Sequence, residues 1–60
     1  MTIHVNGTPH DLRATTLAEA LTELGYGQER VATAVNEAFV PTPARATTRL
    51  SPGDRIEILA

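Results

Sequence analysis

Met1-Thr2-Ile3-His4-Val5-Asn6-Gly7-Thr8-Pro9-His10-Asp11-Leu12 opens the chain and reads as a β-hairpin. Ile3 and Val5 alternate with Thr2 and His4, the period of a half-buried strand. Asn6-Gly7 then supplies the two residues that most readily take positive φ, which a two-residue type I′ turn requires. Such a turn sets Val5 opposite Thr8, His4 opposite Pro9 and Ile3 opposite His10. Met1, Ile3, Val5 and Leu12 are then expected on one face, the core face. Pro9 fits an edge strand, where its missing N–H breaks no internal ladder bond.

Outward from the hairpin, the next signal is a helix start. Thr16 precedes Leu17, and Glu19 follows Thr16 by three residues, the pattern of a capping box. Leu17, Ala20, Leu21 and Leu24 recur at i, i+3, i+4 and i+7, while Ala18, Glu19, Thr22 and Glu23 form the opposite face. Gly25 is placed to end the helix. About two turns of helix are marginal alone, so packing on a sheet must hold them.

The second half returns to strands. Val31 to Val35 is a nearly continuous apolar run, expected as a central strand covered on both faces. Asn36-Glu37 reads as a turn and Ala38-Phe39-Val40 as a brief strand ended by Pro41. Pro41 and Pro43 imply a loop, and Arg45 to Leu50 permits a short strand. Ser51-Pro52-Gly53-Asp54 is a turn. Arg55-Ile56-Glu57-Ile58 alternates with Ile56 and Ile58 inward, and Leu59-Ala60 continues outward. This order fits one domain over 1–60 and an α+β class. The simplest closure is a β-grasp, or ubiquitin-like, fold: a mixed sheet of four to five strands with one helix across it, first and last strands adjacent in the middle.

Composition narrows the function. The 60 residues include no cysteine and no lysine, so disulfides and Cys-ligated metal sites are excluded. A chain of this length buries only roughly 60% of its unfolded surface, a thin core. Residues 1–30 carry two arginines against four acids, and residues 31–60 carry three of each. No part is basic, so generic nucleic-acid or anionic-membrane binding lacks an electrostatic basis. The opening has no basic segment followed by an apolar run, so a signal peptide is not expected, and no stretch has the length of a membrane span. A cytoplasmic location is the expectation.

No catalytic, metal-binding or cofactor-binding set emerges. His4 and His10 fall on opposite faces of the hairpin in the expected register, which argues against a shared metal or acid–base role. Ser51 sits in a turn and Thr16 is a helix cap, neither beside a base. Glu19 and Glu23 are spaced as a carboxylate pair but read as a solvated helix face. Arg45, Arg49 and Arg55 are readable as an anion patch or as ordinary surface charges. Phe39 and Val40 are readable as core or as an exposed docking spot. The last strand anchors a protruding end, a rigid base for a flexible tail.

These residues resemble the ThiS family of sulfur carriers of thiamine biosynthesis over essentially the whole chain. The resemblance is carried by Ile3-His4-Val5-Asn6-Gly7, Thr16-Leu17-Ala18-Glu19-Ala20-Leu21, Ala34-Val35-Asn36-Glu37 with Val40-Pro41, and Leu50-Ser51-Pro52-Gly53-Asp54-Arg55-Ile56-Glu57-Ile58. The last stretch is shared with the small subunit of molybdopterin synthase (MoaD) and with TGS domains. A MoaD-like carrier for molybdopterin or another thiolated product, or a TGS-like interaction module without sulfur chemistry, are the alternatives. The resemblance implies a carrier that is not itself an enzyme and binds no cofactor. Its terminal carboxylate is adenylated with ATP by a ThiF-like enzyme and then thiocarboxylated with sulfur from a donor such as a cysteine desulfurase. A ThiG-like thiazole synthase takes that sulfur. The family's tail closes in Gly-Gly, which is not present within 1–60, and a short tail beyond Ala60 is expected. Phe39, Val40, Leu59 and Ala60 are the partner-binding candidates by the same analogy.

Overall fold

The computed structural model describes residues 1–27 and 29–60. Strands β1 (Thr2–Val5) and β2 (Thr8–Asp11) precede helix α1 (Leu17–Glu23). Strands β3 (Ala32–Val35) and β4 (Ala38–Val40), a 3-10 helix (Thr42–Thr47) and strand β5 (Arg55–Leu59) follow. The five strands form one sheet in the order β2-β1-β5-β3-β4. β5 runs parallel to β1 and antiparallel to β3, so the last strand is the middle of the sheet. One helix across such a mixed sheet is the β-grasp architecture.

The hairpin register is the expected one: Val5 pairs Thr8, His4 pairs Pro9 and Ile3 pairs His10. Asn6 and Gly7 both take positive φ, 50° and 86°, as the two-residue turn demands. Ile3, Val5 and Leu12 enter the core, with Met1 packed against it. All of β2 is exposed, as befits an edge strand.

Helix α1 begins as expected, with the Glu19 amide donating to Thr16 Oγ1 at 3.2 Å. The reciprocal half of the box is displaced by one residue, because Glu19 Oε1 accepts from Thr15 N–H at 2.8 Å and from Thr15 Oγ1 at 2.9 Å. The helix ends in a Schellman motif. Gly25 N–H donates to Thr22 C=O, Tyr26 N–H donates to Leu21 C=O, and Gly25 sits at φ 91°. Leu17, Ala20 and Leu21 are buried, and Leu24 is packed at the margin. These side chains meet Ile56 and Ile58 of β5 within the same apolar cluster.

Three expectations are corrected. β3 is internal to the sheet but covered on one face only: Thr33 is buried while Ala32 is exposed. A single short helix covers one side of the sheet, so the other side meets solvent. Residues 42–47 form a 3-10 helix rather than a loop leading into a strand. What remains of strand character there is an isolated bridge between Arg49 and Thr16. This bridge is extended by Leu17 N–H on Thr48 C=O and Leu50 N–H on Thr15 C=O, both 2.9 Å. Leu50 thereby reaches the core. Third, Val40 is a core residue, 7% exposed, so its side chain does not offer a partner surface.

Candidate functional site

β5 is the element on which a functional end would be mounted, and its support is unequal along its length. On one edge, β3 accompanies it from Val35–Ile56 to Ala32–Leu59. On the other, β1 pairs only His4 with Arg55 and Val5 with Ile56 before turning away at Asn6-Gly7. Inside, Ile56 and Ile58 are buried almost completely. Burying two isoleucines on alternate positions locks the strand in register, since a one-residue slip would exchange them for Glu57 and Leu59. Leu59 then stands 72% exposed at the strand's last position, followed by exposed Ala60.

Beside that end, the open sheet face carries an apolar groove. Strand pairing sets Ala32 across from Leu59, and Ala34 between Glu57 and Phe39. The alanines form a low floor, Phe39 and Leu59 stand at its sides, and Glu57 lies at its rim. Phe39, at 70% exposed, and Leu59 are the exposed large hydrophobic residues among those described. Two large apolar side chains in solvent beside a low floor make this face the candidate docking surface. The same face is charged at its other end, where Arg55 Nη2 lies 3.7 Å from Glu37 and His4 pairs beside Arg55.

Of the four partner candidates, Phe39, Leu59 and Ala60 are exposed and Val40 is buried. Ala32, Ala34 and Glu57 line the same groove and are residues that the sequence reading did not single out. The signal was present: in Val31-Ala32-Thr33-Ala34-Val35 the small residues fall on one face by strict alternation, leaving Thr33 and Val35 for the other. Thr33 is the buried polar residue of the core, and its hydroxyl is satisfied. It donates to Val40 C=O at 2.9 Å and accepts from Arg45 Nε at 3.1 Å. A threonine whose hydroxyl both donates and accepts leaves no unpaired polar group in the core.

The charged candidates have structural duties. Arg45 braces β3, since Nη2 also donates to Val31 C=O. Arg49 lies near Glu19, and Arg55 beside Glu37, so the three arginines serve separate neighbourhoods. Glu19 and Glu23 do more than solvate the helix. Glu23 accepts from the amides of Arg13 and Ala14 at 2.9–3.0 Å, closing the β2–α1 connection onto the helix. The Thr15 amide, then the Thr15 hydroxyl, hold the Glu19 carboxyl below its ordinary range, because both favour the charged form. His4 and His10 lie on opposite faces of the hairpin, as their pairing partners require. Among the described residues, no three His, Cys, Asp or Glu side chains gather as a metal site. Among the described residues, no helix is long and apolar enough to cross a membrane.

Comparison with known proteins meets the same architecture. Residues 3–60 match the ThiS family. A thiazole synthase of Magnetococcus marinus is 40% identical over 60 residues, covering 98% of this chain and 18% of that protein. The chain therefore spans less than a fifth of the length of that curated relative. The crystal structure of the thiamine biosynthesis protein ThiS from Geobacter metallireducens superposes with a TM-score of 0.86 at 28% identity, covering 98% of this chain and 91% of that one. Sheet order, the helix across one face and the match along nearly every residue lead to one conclusion: the chain belongs to the ThiS family.

Proposed function

We propose that this chain is a sulfur carrier for thiazole formation in thiamine biosynthesis, acting as a protein co-substrate and not as an enzyme. The observation that carries the reading is the mounting of β5: a strand locked by Ile56 and Ile58 in the centre of the sheet points its end past an exposed apolar groove. That geometry suits a rigid handle for a reactive terminus. In this reading a ThiF-like enzyme activates the terminal carboxylate with ATP, which expels pyrophosphate and leaves an acyl-adenylate. Persulfide sulfur from a donor such as a cysteine desulfurase displaces AMP as an acyl disulfide, a thiol reductant cleaves its S–S bond, and the thiocarboxylate passes to a ThiG-like thiazole synthase. The reading requires the family's Gly-Gly after Ala60, since glycines alone let a tail thread a narrow channel.

Phe39, Leu59 and Ala60, over the floor of Ala32 and Ala34, form the surface on which the partner enzymes dock. The likeness of this chain to part of a thiazole synthase supports that enzyme as a partner. The test is incubation of the native gene product with ATP, the cognate adenylating enzyme, a sulfur donor and a thiol reductant. Intact mass spectrometry is expected to show one oxygen exchanged for sulfur at the C-terminus. A full-length product that gains no sulfur overturns the reading and favours an interaction module.

A further inference from the structure

The unequal support of β5 leaves one place where the fold must improvise. Alternate residues of a strand direct their backbone groups to the same edge. Ile56 faces β1 in this way, accepting from Asn6 N–H at 2.9 Å. Ile58, two residues on, faces the same edge, but β1 has already turned back. There the Asn6 side chain takes the place of the missing strand. Its Oδ1 accepts from Ile58 N–H at 2.8 Å and its Nδ2 donates to Ile58 C=O at 3.1 Å. A carboxamide has the donor and acceptor of a peptide unit, so it completes the ladder as one more peptide would.

The opposite turn offers a control within the same molecule. Asn36 also takes φ 50°, and its Oδ1 accepts from Arg55 N–H at 2.9 Å while Nδ2 donates to Asp54 at 3.0 Å. It grips the entry of β5. Asn6 grips the exit, one residue before Leu59.

We propose that Asn6 is a positioning residue for the tail: its paired hydrogen bonds to Ile58 set the direction in which the chain leaves the sheet, and so the presentation of the terminal carboxylate to the adenylating enzyme. The proposal rests on the carrier reading above. The step it serves is attack of a carboxylate oxygen on the α-phosphorus of ATP, forming the acyl–phosphate bond as pyrophosphate departs with the electrons of the broken P–O bond. Without Asn6, Leu59 remains paired with Ala32 on one edge, but Ile58 is free on the other. Phe39, Ala32, Ala34 and the paired Leu59 of the docking surface keep their places, while the chain from Ala60 onward explores more directions. A reacting group held less often in its productive geometry lowers kcat and spares KM.

Asn6→Gly tests this, because glycine keeps the positive φ of the turn and removes the carboxamide. Asn6→Asp, which keeps an acceptor for Ile58 N–H and loses the donor, is the intermediate case. Asn36→Gly makes the same change at the entry of β5. Hydrogen exchange of the free full-length protein is expected to show the Ile58 amide of Asn6→Gly exchanging roughly tenfold faster, with the Thr33–Val40 pairing unaffected. With the cognate adenylating enzyme and ATP, kcat is expected to fall roughly tenfold at unchanged KM. Asn6→Asp falls between, and Asn36→Gly lowers the melting temperature with kcat at the wild-type value.

Folded Asn6→Gly protein with wild-type Ile58 exchange overturns the grip itself. Faster exchange with unchanged kcat, or an equal kcat loss in Asn36→Gly, overturns the positioning role. A wild type that is never adenylated overturns the carrier reading and the positioning role with it, while the exchange result still stands or falls alone.

Discussion

Val5-Asn6-Gly7-Thr8 and Val35-Asn36-Glu37-Ala38 are two versions of one turn at two ends of one strand. In both, an asparagine at φ 50° opens a two-residue hairpin loop and reaches sideways to the backbone of β5. They differ in the second loop residue, Gly7 at φ 86° and Glu37 at φ 71°. They differ also in what the following strand shows on the open face: Pro9 and Asp11 from β2, Phe39 from β4. Local sequence thus makes the turn, and its neighbour along β5 makes its role. The first turn secures the exit of the strand, and the second its entry and the wall of the groove.

The comparison is most exposed to Asn6→Ala against Asn36→Ala. Asn6→Ala leaves two partly buried groups of Ile58 without partners and keeps a Cβ at positive φ without the side-chain bonds that favour asparagine there. A loss of about 2–3 kcal/mol is expected. Asn36→Ala, whose side-chain bonds are exposed, is expected to lose about 1 kcal/mol. Equal losses in urea unfolding would mean that the two grips are interchangeable.

Phe39 is the exposed large residue that the second hairpin adds, and its proposed docking role is testable. Because its ring is in solvent, Phe39→Ala is expected to change stability by no more than about 0.5 kcal/mol. Binding to the thiazole synthase or adenylating enzyme is expected to weaken roughly tenfold or more, as loss of an anchoring aromatic does. Calorimetric melting and titration read the two quantities separately; unchanged binding would remove the groove from the interface.

The second loop position gives a smaller contrast, a loss at one turn against a near-neutral change at the other. Gly7→Ala is expected to cost about 1 kcal/mol, because an L side chain is disfavoured at that φ. Glu37→Gly relieves the same conflict, offset by the greater freedom of glycine in the unfolded chain, for a net change within about 0.5 kcal/mol. Its exposed ion pair with Arg55 contributes little. Thermal melting of both variants checks the contrast.

Acid should reveal the smallest difference. The Glu19 carboxyl is held below its ordinary range, so its stabilising bonds to Thr15 are fully present above the unfolded-state value and are lost as pH falls through the lower folded-state value. The melting-temperature gap between wild type and Glu19→Gln is expected to close on acidification, together with protection of the Thr15 amide. The second hairpin, which Glu19 does not touch, should show no such change.

Much of the architecture is legible residue by residue. Asn6-Gly7 specifies a register, Thr16 with Glu19 a helix start, Gly25 its end, and Ile56 with Ile58 a half-buried strand, each through short-range geometry. The candidate site is less legible. A run such as Val31–Val35 suits a strand covered on two faces or one, and nothing in it reveals that a single short helix leaves Ala32 and Ala34 open. The inward turn of Val40 and the outward turn of Phe39 follow from pairing with Thr33 and Ala34. Arg45 reads as a surface charge until the 3-10 helix carries it to Thr33 and Val31.

By itself the sequence determined the five strands, the α-helix, their order and the β-grasp closure, though not the 3-10 helix of residues 42–47, because turns, caps and alternation act over a few bonds. Tertiary structure alone decided which sheet face stays bare, which of Phe39 and Val40 stands in solvent, and that Asn6 rather than another strand holds Ile58. Those outcomes depend on contacts between residues up to 52 positions apart. Such contacts exist only once Ile56 and Ile58 have drawn the last strand between the first and the third.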